Sequence, residues 1–377
     1  MATTDFGSAG ALRVKHWSLT VTMQGRDESF WFSNGFVSAN TADQNKPIQR
    51  VTELTKTGRG LECVMPMTLD LDSSSGVVGD NLLDGNEVAI DTDYQSIRYD
   101  QLRNAVKSRG TMSEQATVLQ FRTQAKDKLA FWLADTTDEL GFLTCAGRAY
   151  SLNTDGSSRS ATSQLPQLSF ASDVAAASTN RIMYAGAATS EATLTASDKM
   201  TWDLIVQAKA FAKRKRVRPI RAGGRSFYII VMSTEQCRDL EQSPDYKTLQ
   251  AQAMPRGLDN PLFTNAKKVV SDVVIYDHQK VYNTLGLGSG SRWGSGGTVH
   301  GAQAMLLGAQ ALGFAEITGD TGSGWMENVG SNDYGNRQNI GYGRKFGLLK
   351  PQYKSKYDSN SREDFGTVAI KTAAAAN

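Results

Sequence analysis

The sequence predicts an α+β fold on three observations: one stretch of strict two-residue apolar alternation, one long stretch of apolar steps of three and four, and no regular strand–helix–strand alternation among the remaining candidates. The alternation sets Leu61, Cys63, Met65, Met67, Leu69 and Leu71 against Glu62, Val64, Pro66, Thr68, Asp70 and Asp72, which describes a half-buried strand. Pro66 removes a ladder donor and confines this strand to a sheet edge or a two-stranded ribbon. A polar, glycine-rich stretch over 73–86 leads to Val88-Ala89-Ile90 and a second extended run with Tyr94, Ile97 and Tyr99, so the simplest reading is a long hairpin. A lone hairpin is marginal in water. Its apolar face, with Leu61, Met65, Met67 and Leu69, is therefore expected to meet another copy of the chain.

The helical stretch opens at Gly110 with the capping box Thr111-Met112-Ser113-Glu114. Leu119, Ala125, Leu129, Trp132, Leu133, Thr136, Leu140 and Leu143 follow at steps of three and four, and Gly147 is a natural stop. A helix from 111 to 147 would run about 50 Å at ~1.5 Å per residue, a strut for an elongated molecule. Before the hairpin, residues 1–50 carry scattered aromatics (Trp17, Phe30, Trp31, Phe32) at no steady period and read as an arm that packs on something else. After the long helix, 151–196 is rich in Ser, Thr and Ala and reads as a connecting region.

A second capped helix is expected from Thr195-Ala196-Ser197-Asp198, burying Leu204, Ile205, Ala208, Phe211 and Ala212 and ending in Lys213-Arg214-Lys215-Arg216. Gly223-Gly224 then turns a hairpin into a buried strand over Phe227–Met232. A third helix is expected from Thr234 to about Ala253, interrupted near Pro244. Strands follow at Val269–Tyr276 and Gly366–Lys371, around a small-residue stretch, Ala302–Phe314, and glycine-rich loops at 286–297 and 319–335.

Composition narrows function. The 377 residues carry 41 Lys and Arg against 38 Asp and Glu, a net +3, so the chain as a whole is not a basic coat for nucleic acid. Three cysteines, Cys63, Cys145 and Cys237, fit a reduced protein without a disulfide framework. Neither a signal peptide nor a membrane span is expected. His16, His278 and His300 stand apart with no ligand partner at metal spacing, the glycine-rich loops lack the Lys and Ser/Thr of a phosphate loop, and no GxSxG elbow occurs. No catalytic residue, metal or cofactor is predicted, and the carboxylate pairs Asp70/Asp72 and Asp91/Asp93 read as solvated surface.

The run Lys213, Arg214, Lys215, Arg216 and Arg218 has two compatible readings. Cations at a helix C-terminus gain roughly 0.3–1 kcal/mol from the dipole, and the same cluster is a candidate patch facing DNA without sequence preference. Trp293 and Trp325 lie in glycine-rich stretches, each able to anchor an intersubunit contact or to plug its own loop; Trp293 is taken as a contact candidate.

Four runs carry a resemblance: Pro47 through Gly60 (PIQRVTELTKTGRG), Gly79-Asp80-Asn81 with Gly85-Asn86-Glu87, Asp127 through Asp135 (DKLAFWLAD), and Pro255 through Phe263 (PRGLDNPLF). In order and spacing, from about 45 to 350, the chain resembles the major capsid protein family of the N4-like podoviruses. The resemblance implies the HK97-type capsid fold, with an arm over 1–50, an extended hairpin loop over 51–110, a peripheral domain with its spine helix over 111–200, an axial domain over 201–344 and a C-terminal strand returning over 345–377. It further implies hexamers and pentamers of one chain closing an icosahedral head around double-stranded DNA. A portal protein, scaffolding and decoration proteins are the partners implied, the virion the location, and the host cytoplasm the place of assembly. An encapsulin-like cargo shell shares the fold, and a hydrolase with a site near His300 is the enzymatic alternative.

Overall fold

The computed structural model describes residues 29–51, 60–68, 76–88, 90, 92–115, 121–222, 224–252, 268–270, 272–316, 325–354 and 361–375. In chain order the elements are α1 (Phe30–Ser33), β1 (Ile48–Val51), β2 (Glu62–Thr68), β3 (Thr92–Arg98), β4 (Asp100–Lys107), α2 (Thr111–Gln115), α3 (Phe121–Ala146), β5 (Ile182–Tyr184), α4 (Trp202–Arg214), β6 (Ile220–Ala222) and β7 (Arg225–Met232). There follow α5 (Thr234–Gln242), α6 (Pro244–Gln252), β8 (Lys268–Val270), β9 (Val273–Asp277), β10 (Gly301–Leu307), β11 (Leu312–Glu316), β12 (Trp325–Asn332), β13 (Arg337–Leu349), β14 (Gln352–Lys354), β15 (Arg362–Asp364) and β16 (Thr367–Ala373).

Two larger sheets carry the molecule. In the first, β13 is the hub: β11 and β12 share one of its edges, β4 takes the other, and β1 lies parallel to β11. In the second the order is β5-β16-β10-β7-β9-β8, with β6 hairpinned onto β7. Strand β7 shows why the second sheet is central. Its residues alternate between two cores, Ile229 and Val231 facing one and Tyr228, Ile230 and Met232 the other, so both faces are covered. Helix α4 supplies the second core with Leu204, Ile205, Ala208 and Ala212, and α5 adds Cys237 and Leu240.

Helix α3 joins the sheets. At ~1.5 Å per residue its 26 residues span about 39 Å. Phe121, Ala125 and Leu129 pack with Ile340 of β13 at one end, while Leu140, Phe142, Leu143 and Ala146 enter the first core at the other. Gly147 ends it as expected, with φ +67: the Arg148 amide donates to the Leu143 carbonyl and the Gly147 amide to that of Thr144. The expected capping box falls at the start of α2, where Thr111 has a distant partner. Thr111's hydroxyl donates to Asn336 Oδ1 at 3.0 Å, because the turn between β12 and β13 reaches the helix start and competes for it.

Several expectations need correction. Residues 29–51 contribute to the subunit's own core: Phe30 and Trp31 are buried against Phe142, Phe36 against Phe30 and Tyr276, and Gly141 leaves room for the Trp31 indole, whose Nε1 would lie 2.7 Å from a Cβ there. The region 151–196 is packed, contributing Phe170 and Leu194 to the core and β5 to a sheet edge parallel to β16. Helix α4 starts at Trp202, not at Thr195. Asp198 accepts from the Thr195 amide and hydroxyl, closing a local turn, and Thr201 caps the helix. The strand expected over Val269–Tyr276 is a hairpin of β8 and β9, because Asp272 takes φ +67.

Ala302–Phe314 is two strands, β10 and β11, and the glycine-rich stretch around Trp325 and Gly335 is the β12–β13 hairpin. Asp93 is buried rather than solvated, accepting from the Lys354 amide at 3.1 Å and from Arg362 at 2.8 Å. Burial by itself would raise its pKa, but the Lys354 and Tyr94 amides and the Arg362 cation hold it below the ordinary value. Trp17, His16, Leu69, Leu71 and Pro255–Phe263 lie outside the described residues.

Candidate assembly surfaces

The hairpin is where the sequence put it. Strands β2 and β3 pair antiparallel from Glu62↔Arg98 to Thr68↔Thr92 as a sheet of two strands, the setting that Pro66 demands. Its two faces meet different fates. Cys63 and Met65, with Ile97 from β3, are buried with Val51, Ala315 and Leu349 of the same subunit. Met65 is thus a core residue and not a contact candidate, because the root of the hairpin lies on β1, β11 and the end of β13. Met67 sits in β2 opposite Asp93.

Leu61 remains 79% exposed, and Val64 and Tyr94 project from the opposite face. Beyond the strands, Val78, Leu82, Leu83, Val88 and Ile90 are exposed as well. Eight of the eleven exposed large hydrophobic side chains among the described residues thus fall between 61 and 94. Scattered exposed apolar residues are ordinary; this many in one segment make it a candidate interaction surface.

Trp293 is also reassigned. It is 6% exposed and belongs to the first core, its backbone pairs with Val299, and Gly301 has no side chain because the indole fills that space. It plugs its own loop. The basic turn keeps its cations outside: Lys213, Arg214, Arg216 and Arg218 are exposed, Lys215 is half-buried, and Arg214 lies over the Phe211 ring. Lys213, Arg216 and Arg218 line a cleft of ≈ 1000 Å³ that composition alone did not reveal, together with Val64, Met65, Tyr228, Pro351, Tyr353 and Phe365. The cleft joins segments far apart in the chain, and no local pattern signals such a meeting.

His300 Nδ1 is buried without a hydrogen-bond partner, and His278 stacks on Phe142 in the core. Among the described residues no group of three or more His, Cys, Asp or Glu is placed to hold a metal, and no helix is long and apolar enough to cross a membrane. The three cysteines are buried and outside any disulfide, and burial pushes the Cys145 thiol up to about 12, so it is inert.

A long helix bridging two sheets, with a two-stranded hairpin whose outer surface is apolar, is the HK97-type capsid fold. Residues 5–376 match the family described as phage capsid protein, and the chain belongs to that family. It is 38% identical over 368 residues, 95% of this chain and 94% of the relative, to the major capsid protein of Pseudomonas phage KPP25. The capsid of Ralstonia phage GP4 superposes with TM-score 0.78 at 24% identity, covering 100% of this chain and 99% of that one. The capsid of cyanophage Pam1 does so with TM-score 0.74 at 16% identity over 100% of both chains.

Proposed function

We infer that this chain is the major capsid protein of a tailed phage and builds the head shell from many copies of itself, as hexamers and pentamers around double-stranded DNA. The apolar surface of the hairpin carries the reading, since exposed Leu61, Leu82 and Leu83 make sense on a protein whose surface is completed by neighbours. Each contact is modest. Because every subunit meets several neighbours, the contacts multiply through effective concentration into a closed and stable shell.

The role is structural, and the cargo shell of the encapsulin type is disfavoured by the extended identity to a phage major capsid protein. A portal protein, scaffolding protein and decoration protein are the further partners in this reading, and assembly takes place in the host cytoplasm. With a net charge of only +3, contact with packaged DNA falls to local cations such as Arg214 and carries no sequence preference. Electron microscopy and analytical sedimentation of the protein, alone and with its phage neighbours, should show closed particles or regular hexamers and pentamers. Strict monomers under every condition would overturn the assignment.

A further inference from the structure

We propose that the cleft beside the basic turn is a binding pocket for a nucleotide, a function separate from shell building. Three cations border it, Lys213, Arg216 and Arg218, and no carboxylate stands among its described lining residues. The Asp272 carboxylate, which feels the Lys213 charge, is ion-paired to Lys209 at 2.7 Å and lies outside that lining. A concave surface lined by one sign of charge concentrates the field and draws in small anions. Beside the cations runs a fixed relay of amides. Arg218 donates to Gln310 Oε1 at 3.1 Å and Gln44 Oε1 at 3.4 Å, Gln310 Nε2 donates to Gln49 Oε1 at 2.8 Å, and Gln49 Nε2 to the Thr41 carbonyl at 3.1 Å. These contacts orient the Arg218 charge without neutralising it.

The backbone supplies the second, independent observation. Arg216 and Gln310 both line the cleft, and both hold left-handed backbone, with φ +56 and +57. The other non-glycine residues of this kind among those described, Asp272, Asp333 and Tyr334, form tight hairpin turns. Arg216 closes α4: the Val217 amide donates to the Ala212 carbonyl at 2.9 Å and the Arg216 amide to that of Lys213 at 3.1 Å, a cap that glycine usually completes. An arginine in that place is strained, and such strain gathers where a side chain serves a ligand and not the fold. The turn is held from behind. Gly308 leaves the space that the Arg218 carbonyl takes, and the Ala309 amide donates to it at 2.8 Å. At ≈ 1000 Å³ the cleft is at the upper end of the ~300–1,000 Å³ of ligand pockets. A DNA duplex presents its phosphates on a convex rod. A cleft with cations, amide edges and the apolar surface of Val64 and Phe365 suits a compact molecule that joins phosphate, hydrogen-bonding edges and a flat ring.

Equilibrium dialysis of the purified full-length subunit against labelled dATP is the test, with inorganic pyrophosphate and a short DNA duplex as competitors. One dATP per subunit should bind saturably and be displaced by pyrophosphate. Arg218→Gln should weaken that binding about tenfold or more. Arg216→Gly is the sharper variant, because it removes a cation and relieves the left-handed backbone at once: it should lose affinity by a similar factor and melt no lower than the parent. Lys213→Gln alters an exposed side chain and takes over if either arginine variant misfolds. Absence of saturable dATP binding, or binding that the folded variants leave unchanged, overturns the proposal. Full affinity with a lowered melting temperature in Arg216→Gly overturns it too, since the arginine would then serve the fold. Binding of the duplex alone also overturns it, and gives the turn to packaged DNA. The shell reading stands apart from all of these outcomes, because particle formation decides it.

Discussion

Gly147 ends the spine helix at φ +67, and a Cβ there would sit 2.6 Å from the Ala175 carbonyl oxygen. Gly147→Ala is therefore expected to cost roughly 1–3 kcal/mol of subunit stability, read as a lowered melting temperature. Lys350 and Asp364 form an ion pair at 3.1 Å with 0% and 1% of their side chains exposed, and Lys350 also donates to the Ala176 carbonyl. Removing one partner strands a buried charge, so Lys350→Met should destabilise the subunit by about 3–5 kcal/mol, while the double change with Asp364→Leu should recover much of the loss. No recovery in the double variant would mean that the surrounding loop contacts, not the stranded carboxylate, dominate.

Asp138 holds the start of α1 onto the spine helix, accepting from the Phe30 amide at 2.7 Å and the Ser29 hydroxyl at 2.5 Å. Burial raises its pKa to about 6, against the lowering effects of Ser29, Phe30 and the Lys280 cation. A carboxyl raised in the folded state favours folding below its unfolded value and loses that contribution as pH rises through about 6. Asp138→Asn should consequently melt higher than the parent at pH 7.5 and no higher at pH 4. A gap that grows toward acid would show that the ionised form is the stabilising one.

At the scale of elements, the hairpin separates into a root packed in the subunit's own core and a tip whose apolar side chains are exposed. Met65→Asp puts a charge among Val51, Ile97 and Leu349, and should leave little folded subunit. Leu82→Asp with Leu83→Asp changes only exposed positions; the subunit should melt normally and sediment without forming particles. If the Leu82→Asp, Leu83→Asp variant still formed particles, the hairpin tip would not be an assembly element. The alternation from Leu61 onward made the strand legible because its period is local, but it did not say which neighbour its apolar face would meet. That face divides between the subunit's own sheet at Cys63 and Met65 and open surface at Leu61, which precedes the first paired residue and lies outside the cluster of Val51, Ala315 and Leu349.

For the molecule as a whole, one helix, α3, ties the two sheets into a frame, and Arg148, Glu191 and Lys371 lock its C-terminal end to the last strand, Glu191 meeting Arg148 at 2.6 Å and Lys371 at 2.7 Å. A rigid frame with an apolar projection suits repeated assembly, because little chain must be ordered when copies meet. Assembled particles should accordingly melt above the dissociated subunit in scanning calorimetry, since association stabilises the folded form only. Coincident melting would indicate that the neighbours add nothing to the fold.

By itself the sequence determined the α+β class, the hairpin, the stop at Gly147, the buried strand 227–232 and the family, because periodicity, turn residues and long motif runs are properties of neighbouring positions. The tertiary structure decided what depends on distant ones. It made the run around Phe30 and Trp31 part of the core, turned Trp293 inward against Gly301, gave β5 its place beside β16, and brought Lys213, Arg216 and Arg218 to one cleft with Val64 and Tyr353. The physical reason is common to all four. Whether an apolar or charged side chain is covered by its own chain or left for another depends on which remote segments fold over it, and no local pattern encodes that.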